Sequence, residues 1–155
     1  MSEDYYPPSD FLNSVIAEEV PIGLEGFRAA NLTRLIQMTT DTDEANRDWA
    51  TFLLAQLEFD TPTIRAALLH AANDPSAVVR AEAICGIAQR DPASAQDLIL
   101  RELSGDELWY PLIDAIEMIP NPEFIPLLEY WDNKLSDDFF NKAIQIALEA
   151  CRNGN

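Results

Sequence analysis

Three carboxylates, Asp48, Glu82 and Asp114, recur with Gln145 at intervals of 34, 32 and 31 residues. Polar groups at such a common interval form a row if the chain repeats its structure with that period, and a row of carboxylates is equipped to hold a basic surface. Around them stand Glu44, Glu117, Trp109 and Tyr110, where an aromatic side chain beside acids makes a protein-binding anchor. Other chemistry is scarcely represented. His70 is the only histidine, and no zinc-binding spacing, glycine-rich phosphate loop or nucleophile elbow occurs. The segment DTDE from Asp41 is rich in oxygen ligands but lacks the glycine and closing glutamate of a calcium loop, so helix capping explains it better. No catalytic residue, metal site or cofactor is expected, and the protein reads as a non-enzyme.

The elements that would position this row are paired helices. Four stretches read as an apolar helix, a polar turn and a second apolar helix, with second helices expected near Asp43, Ser76, Asp106 and Asp137, 33, 30 and 31 residues apart. A period near thirty marks a stacked solenoid, because one helix pair cannot bury its apolar face alone. The pairs Thr61-Pro62, Asp91-Pro92 and Asn121-Pro122 supply the same start signal, an N-cap followed by proline where its missing N–H is harmless. Ser9 caps an earlier helix carrying Phe11, Leu12, Val15 and Ile16. Pro111 and Pro126 fall inside expected helices and are tolerable only in a first turn. The expected organisation is an extended lead over residues 1–8, then one domain over 9–155. It is an all-α, α-α superhelical solenoid of about four helix pairs with an N-terminal capping helix.

Composition narrows the partners. The net charge is −17, from 27 acidic against 10 basic residues. Such a chain repels phosphate backbones and anionic bilayers, so neither nucleic acid nor membrane is an expected partner. A basic protein is, although the same charge also serves solubility. No apolar run is long enough to span a bilayer, and the acidic, proline-rich start does not resemble a secretory leader. Cys85 and Cys151 lack metal-binding neighbours and read as buried thiols of a reducing compartment, so a cytoplasmic location is expected.

The unit DPSAVVRAEAICGIAQRDP from Asp74 resembles HEAT repeats, and more closely the short bacterial HEAT-like repeats first named for phycobilisome lyases. The resemblance rests on Asp74-Pro75 in the turn, Val78-Val79-Arg80 opening the second helix, and Ala83 and Ile87 facing inward. Asp41, Arg47 and Ala50 precede Asp74, Arg80 and Ala83 by 33 residues each. It implies an α-α solenoid whose second helices line a concave face, and it does not imply lyase activity. On that face Glu44, Asp48, Glu82, Asp114, Glu117 and Gln145 would form an acidic ridge with Tyr110 beside it. Asp41, Arg47, Asp74 and Arg80 are expected to be structural, each Arg pairing with a turn Asp of its own or the next unit. Trp49 is expected in the core, and one member each of Trp109-Tyr110 and Tyr130-Trp131 is expected at the surface. The combined expectation is a binding module that clasps a basic protein, such as an immunity protein or antitoxin against a cationic toxin. A bilin-lyase-like or cofactor-chaperone role, and a scaffold dimerising through Trp131, Phe139 and Phe140, are the alternatives.

Overall fold

The computed structural model describes residues 5–154. The described residues are all-helical, with no strand. The helices are α1 (Asp10–Ile16), α2 (Gly26–Met38), α3 (Glu44–Gln56), α4 (Pro62–Ala71) and α5 (Ala77–Arg90). They continue as α6 (Pro92–Leu103), α7 (Tyr110–Met118), α8 (Ile125–Lys134) and α9 (Asp138–Asn153), with a 3-10 turn over Pro122–Phe124 before α8.

The capping signals act as their residue types require. Ser9, Asp43, Thr61, Asp91, Asn121 and Asp137 each accept a backbone N–H from the first turn that follows. Ser76 precedes α5 without capping it through its side chain. The third unit departs from expectation, because α7 begins at Tyr110 and not near Asp106. Pro111 explains the delay. A helix begun at Asp106 would place Pro111 well inside, where its ring meets a carbonyl of the preceding turn. Starting at Tyr110 leaves it in the first turn, and Trp109 remains extended. Pro126 likewise occupies the first turn of α8.

Packing is organised around α5, which contacts α3, α4, α6 and α7. Every residue from Ala81 to Ala88 is buried. The small side chains there permit close approach. A Cβ on Gly86 would lie 2.8 Å from the Ala55 Cβ and 3.1 Å from Leu68 Cδ1, so only glycine lets α3 and α4 come this near. Next along the chain, α7 contacts α5 and α9, and α9 contacts α8.

Hydrogen bonds show that α3 and α5 run parallel. At their starts, Ser76 Oγ donates to Glu44 Oε1 at 2.8 Å. At their ends, Arg90 donates to the carbonyls of Leu54, Ala55 and Leu57. Arg90 thereby satisfies carbonyls that a helix leaves without internal partners at its C-terminus.

The expected structural residues form a repeated device. Asp41 Oδ1 accepts the Asp43 backbone N–H at 2.9 Å, and Asp74 Oδ1 accepts that of Ser76 at 2.9 Å. Arg47 Nη1 donates to the carbonyls of Asp41 and Thr42, and Arg80 Nη1 to those of Asp74 and Pro75. Arg47 also pairs with Asp74 of the next unit. Arg80 departs from the turn-Asp expectation and pairs with Glu102 on α6 at 3.0 Å, while the turn before α7 keeps Asp106 and Glu107, the latter accepting from Trp109 Nε1.

Candidate functional site

The row on the second helices divides into a buried part and an exposed part. Asp48 on α3 is 2% exposed and Glu82 on α5 is 5% exposed, so the centre of the expected ridge is covered. Part of the cover is the start of the chain. The Tyr5 hydroxyl donates to Asp48 Oδ2 at 3.0 Å, and the Tyr5 and Tyr6 rings stack on Trp49 with centroids 6.2 and 6.3 Å away. The Ser9 backbone N–H donates to Asn46 Oδ1, also on α3. Residues 5–9 are therefore a non-helical strap lying on α3. The first four residues of the expected lead lie outside the described residues.

Burial and mutual repulsion govern the charges. Burial, with the Asp48 and Asp114 carboxylates beside it, pushes the Glu82 carboxyl up to about 8. Burial also raises Asp48, with Glu44 adding to the effect, while the Tyr5 hydrogen bond opposes it. Asp114 is raised by desolvation, and Glu117 by desolvation and by Asp114. α5 packs against both α3 and α7, which brings Glu82 close to Asp48 and Asp114. Gln145 is not part of this group, because its amide donates to Asp132 Oδ2 on α8 at 2.6 Å. Glu44 sits at the rim, tied to Ser76.

Cys85 lies one turn beyond Glu82. Burial, Asp114 and Glu82 push its thiol up to about 12, so it stays protonated and is a poor nucleophile at neutral pH. Among the described residues no group of three metal-ligating side chains converges.

Beside the buried cluster is an exposed aromatic patch. Tyr110, at the start of α7, stacks on Phe139 at the start of α9 with centroids 5.4 Å apart, and meets Phe140 edge-on at 5.9 Å. Phe139 is 67% exposed, and Trp109 and Tyr110 are exposed as well. Trp109 Nε1 donates to Glu107 Oε2 at 3.0 Å. Extended geometry at Trp109 removes the helical constraint that would have exposed only one member of the pair. Of the other tryptophans, Trp131 is buried and donates to the Leu103 carbonyl at 2.8 Å, leaving Tyr130 outside. Trp49 is half-buried beneath the strap.

Tyr5, Cys85 and Arg90 were not singled out from sequence as parts of this arrangement. Tyr5-Tyr6 ahead of Pro7-Pro8 carried a usable signal, since two aromatic rings in an extended lead gain by lying on an apolar surface.

No family model matches the chain. It is 25% identical over 120 residues to Protein YibA of Escherichia coli strain K12, and equally to that of Escherichia coli O157:H7. Each match covers 77% of this chain and 42% of the relative, so the chain spans less than half the length of the curated relatives it matches. The X-ray structure of E. coli YibA superposes with a TM-score of 0.62 at 24% identity, over 81% of this chain and 45% of that one. The two share a fold. Among the described residues no helix is long and apolar enough to cross a membrane.

Proposed function

We propose that this chain is a non-enzymatic binding module, an α-α solenoid of HEAT-like helix pairs capped by α1, that clasps a basic protein. The observation that carries the reading is the stacked, exposed Tyr110–Phe139 pair with Trp109, set among Asp106, Glu107, Asp137 and Asp138 on a chain of net charge −17. Exposed aromatics supply the desolvated centre of an interface, and surrounding acids steer a cationic partner to it. An immunity protein or antitoxin that neutralises a cationic toxin in the cytoplasm is the role such a surface serves. The protonated Cys85 thiol gives no support to covalent chemistry, and the open groove lined by Asp132, Asp138, Asn141, Lys142, Gln145 and Ile146 has Ile146 as its one apolar lining residue.

The test is affinity capture from host lysate at low and moderate salt, with wild type and a Tyr110→Ala/Phe139→Ala variant. A stoichiometric basic protein, released by salt and lost from the variant, supports the reading. Capture of no basic protein, or undiminished capture by the variant, sinks it. A dimeric scaffold is the second reading, favoured by the exposure of Phe139 and Ile146 on α9. Trp131 is buried and cannot contribute as expected. Sedimentation that shifts with concentration would favour the dimer.

A further inference from the structure

Two neighbouring side chains in the acidic cluster bear buried oxygens that no described residue fills. Asp48 Oδ2 is occupied by Tyr5, but Oδ1 is buried without a hydrogen-bond partner among the described residues. Thr51, fully buried three residues further along α3, leaves Oγ1 equally unpartnered. Parallel packing places Thr51 beside Glu82, because Ala55 faces Gly86 and each of the two lies one turn earlier. Glu82 makes no side-chain hydrogen bond among the described residues. Asp114 approaches it from α7. Buried polar groups are nearly always paired, and leaving one unpaired costs about 1–3 kcal/mol. A group of unfilled acceptors on adjacent helices is thus a site awaiting a donor.

We propose that Asp48, Thr51, Glu82 and Asp114 form the seat of one arginine guanidinium from a basic partner protein, and that Tyr5 closes this seat in the free protein. The proposal rests on the basic-partner reading above and names how that partner is recognised. A guanidinium carries five donors in a planar fork and is weakly hydrated, so it suits several acceptors in a desolvated cleft better than an ammonium does. The Tyr5 hydroxyl supplies one donor where the guanidinium would supply several. Tyr110 lies one turn before Asp114 on α7, so the seat is continuous with the exposed aromatic patch.

Entry of a cation has a protonic consequence. Glu82 faces Asp48 from α3 and Asp114 from α7, with Cys85 on its own helix; Glu44 and Tyr5 stand against Asp48, and Glu117 against Asp114. At pH 7 its carboxyl is mostly protonated. A guanidinium stabilises the carboxylate, so the O–H bond breaks and its proton passes to the buffer.

The experiment is calorimetric titration of the full chain with an octa-arginine and an octa-lysine peptide at pH 7, in two buffers of different ionisation enthalpy. The proteins are wild type, Glu82→Gln, Tyr5→Phe and the exposed charge-matched controls Glu58→Gln and Glu149→Gln. Expected results are uptake of octa-arginine with release of close to one proton, affinity at least fivefold lower and no proton release in Glu82→Gln, tighter binding in Tyr5→Phe, and controls within twofold of wild type. Octa-lysine should bind more weakly. Equal losses in Glu82→Gln and the controls, or no proton release by wild type, overturn the seat. Failure here alongside successful capture of a basic protein would refute the seat while leaving the binding-module reading intact.

Discussion

Arg47 on α3 reaches across to the next unit and grips both carboxylate oxygens of Asp74, Nε to Oδ2 at 2.9 Å and Nη2 to Oδ1 at 3.2 Å. The same guanidinium holds its own turn through the carbonyls of Asp41 and Thr42. One side chain therefore closes a turn and fastens it to its neighbour. Both partners are largely shielded from water, where removing one member strands the other.

Arg47→Ala should accordingly destabilise the fold by about 3 kcal/mol, in the range for breaking a shielded pair. Asp74→Ala should cost a similar amount, and the double variant less than the two losses together. Urea unfolding of the four proteins measures this, and strict additivity would show that the pair is not coupled.

The Ala55–Gly86 approach makes an equally direct prediction. In an open helix Gly→Ala stabilises by about 0.5–1 kcal/mol. Here the added methyl meets Ala55 Cβ at 2.8 Å, and overpacking should reverse the sign to a net loss of about 1–3 kcal/mol. Ala55→Gly in the same chain should restore part of it. Thermal unfolding of the single and double variants decides the matter.

Glu82 should make stability fall as pH rises. Its folded value of about 8 exceeds the ordinary glutamate value of 4.5. Stability is therefore full below about pH 4.5 and is lost progressively up to about pH 8, because the unfolded chain ionises first. The full span is on the order of 4–5 kcal/mol from this residue. Glu82→Gln should flatten the profile between pH 5 and 8 and be more stable than wild type at pH 8. Urea midpoints at pH 5, 6.5 and 8 measure it, and parallel profiles would refute the assignment.

Arg90 tests the helix-end contacts. Its guanidinium donates to five carbonyls, those of Leu54, Ala55, Leu57, Phe59 and Gly86. Arg90→Ala should cost about 2–4 kcal/mol, since bonds to a charged group contribute about 1.5–3 kcal/mol each and water replaces only part of them. Arg90→Lys should recover less than half, because an ammonium cannot span the same carbonyls. Hydrogen exchange at the end of α3 provides a local readout.

The helix pairs, their caps and the Asp/Arg device were legible because each depends on residues close in sequence. Thr61-Pro62 and Asp91-Pro92 declare a helix start without tertiary context, and the offset of 33 from Arg47 to Arg80 reappears in matching hydrogen bonds. The carboxylate row was legible as far as Asp114. Beyond it, Gln145 turns to Asp132 on α8, since the short interval between α7 and α9 alters the register. Burial of the row was not legible. Asp48 and Glu82 are ionisable residues on the polar side of their helices, and it is the return of Tyr5 over α3, 43 residues away, that covers Asp48, and the packing of α5 between α3 and α7 that encloses Glu82. Long-range closure of this kind leaves no periodic trace.

The eight consecutive buried residues of α5, Ala81 to Ala88, have a consequence for how this molecule can change. A helix enclosed on all sides has no face on which substitution is free. In a saturation scan this block should be the least tolerant stretch of the chain, accepting few changes even among small residues. The tips of α7 and α9, by contrast, carry aromatics and acids that little else in the molecule leans on. New binding preferences can be written there by single substitutions, while the central helix holds the frame unchanged.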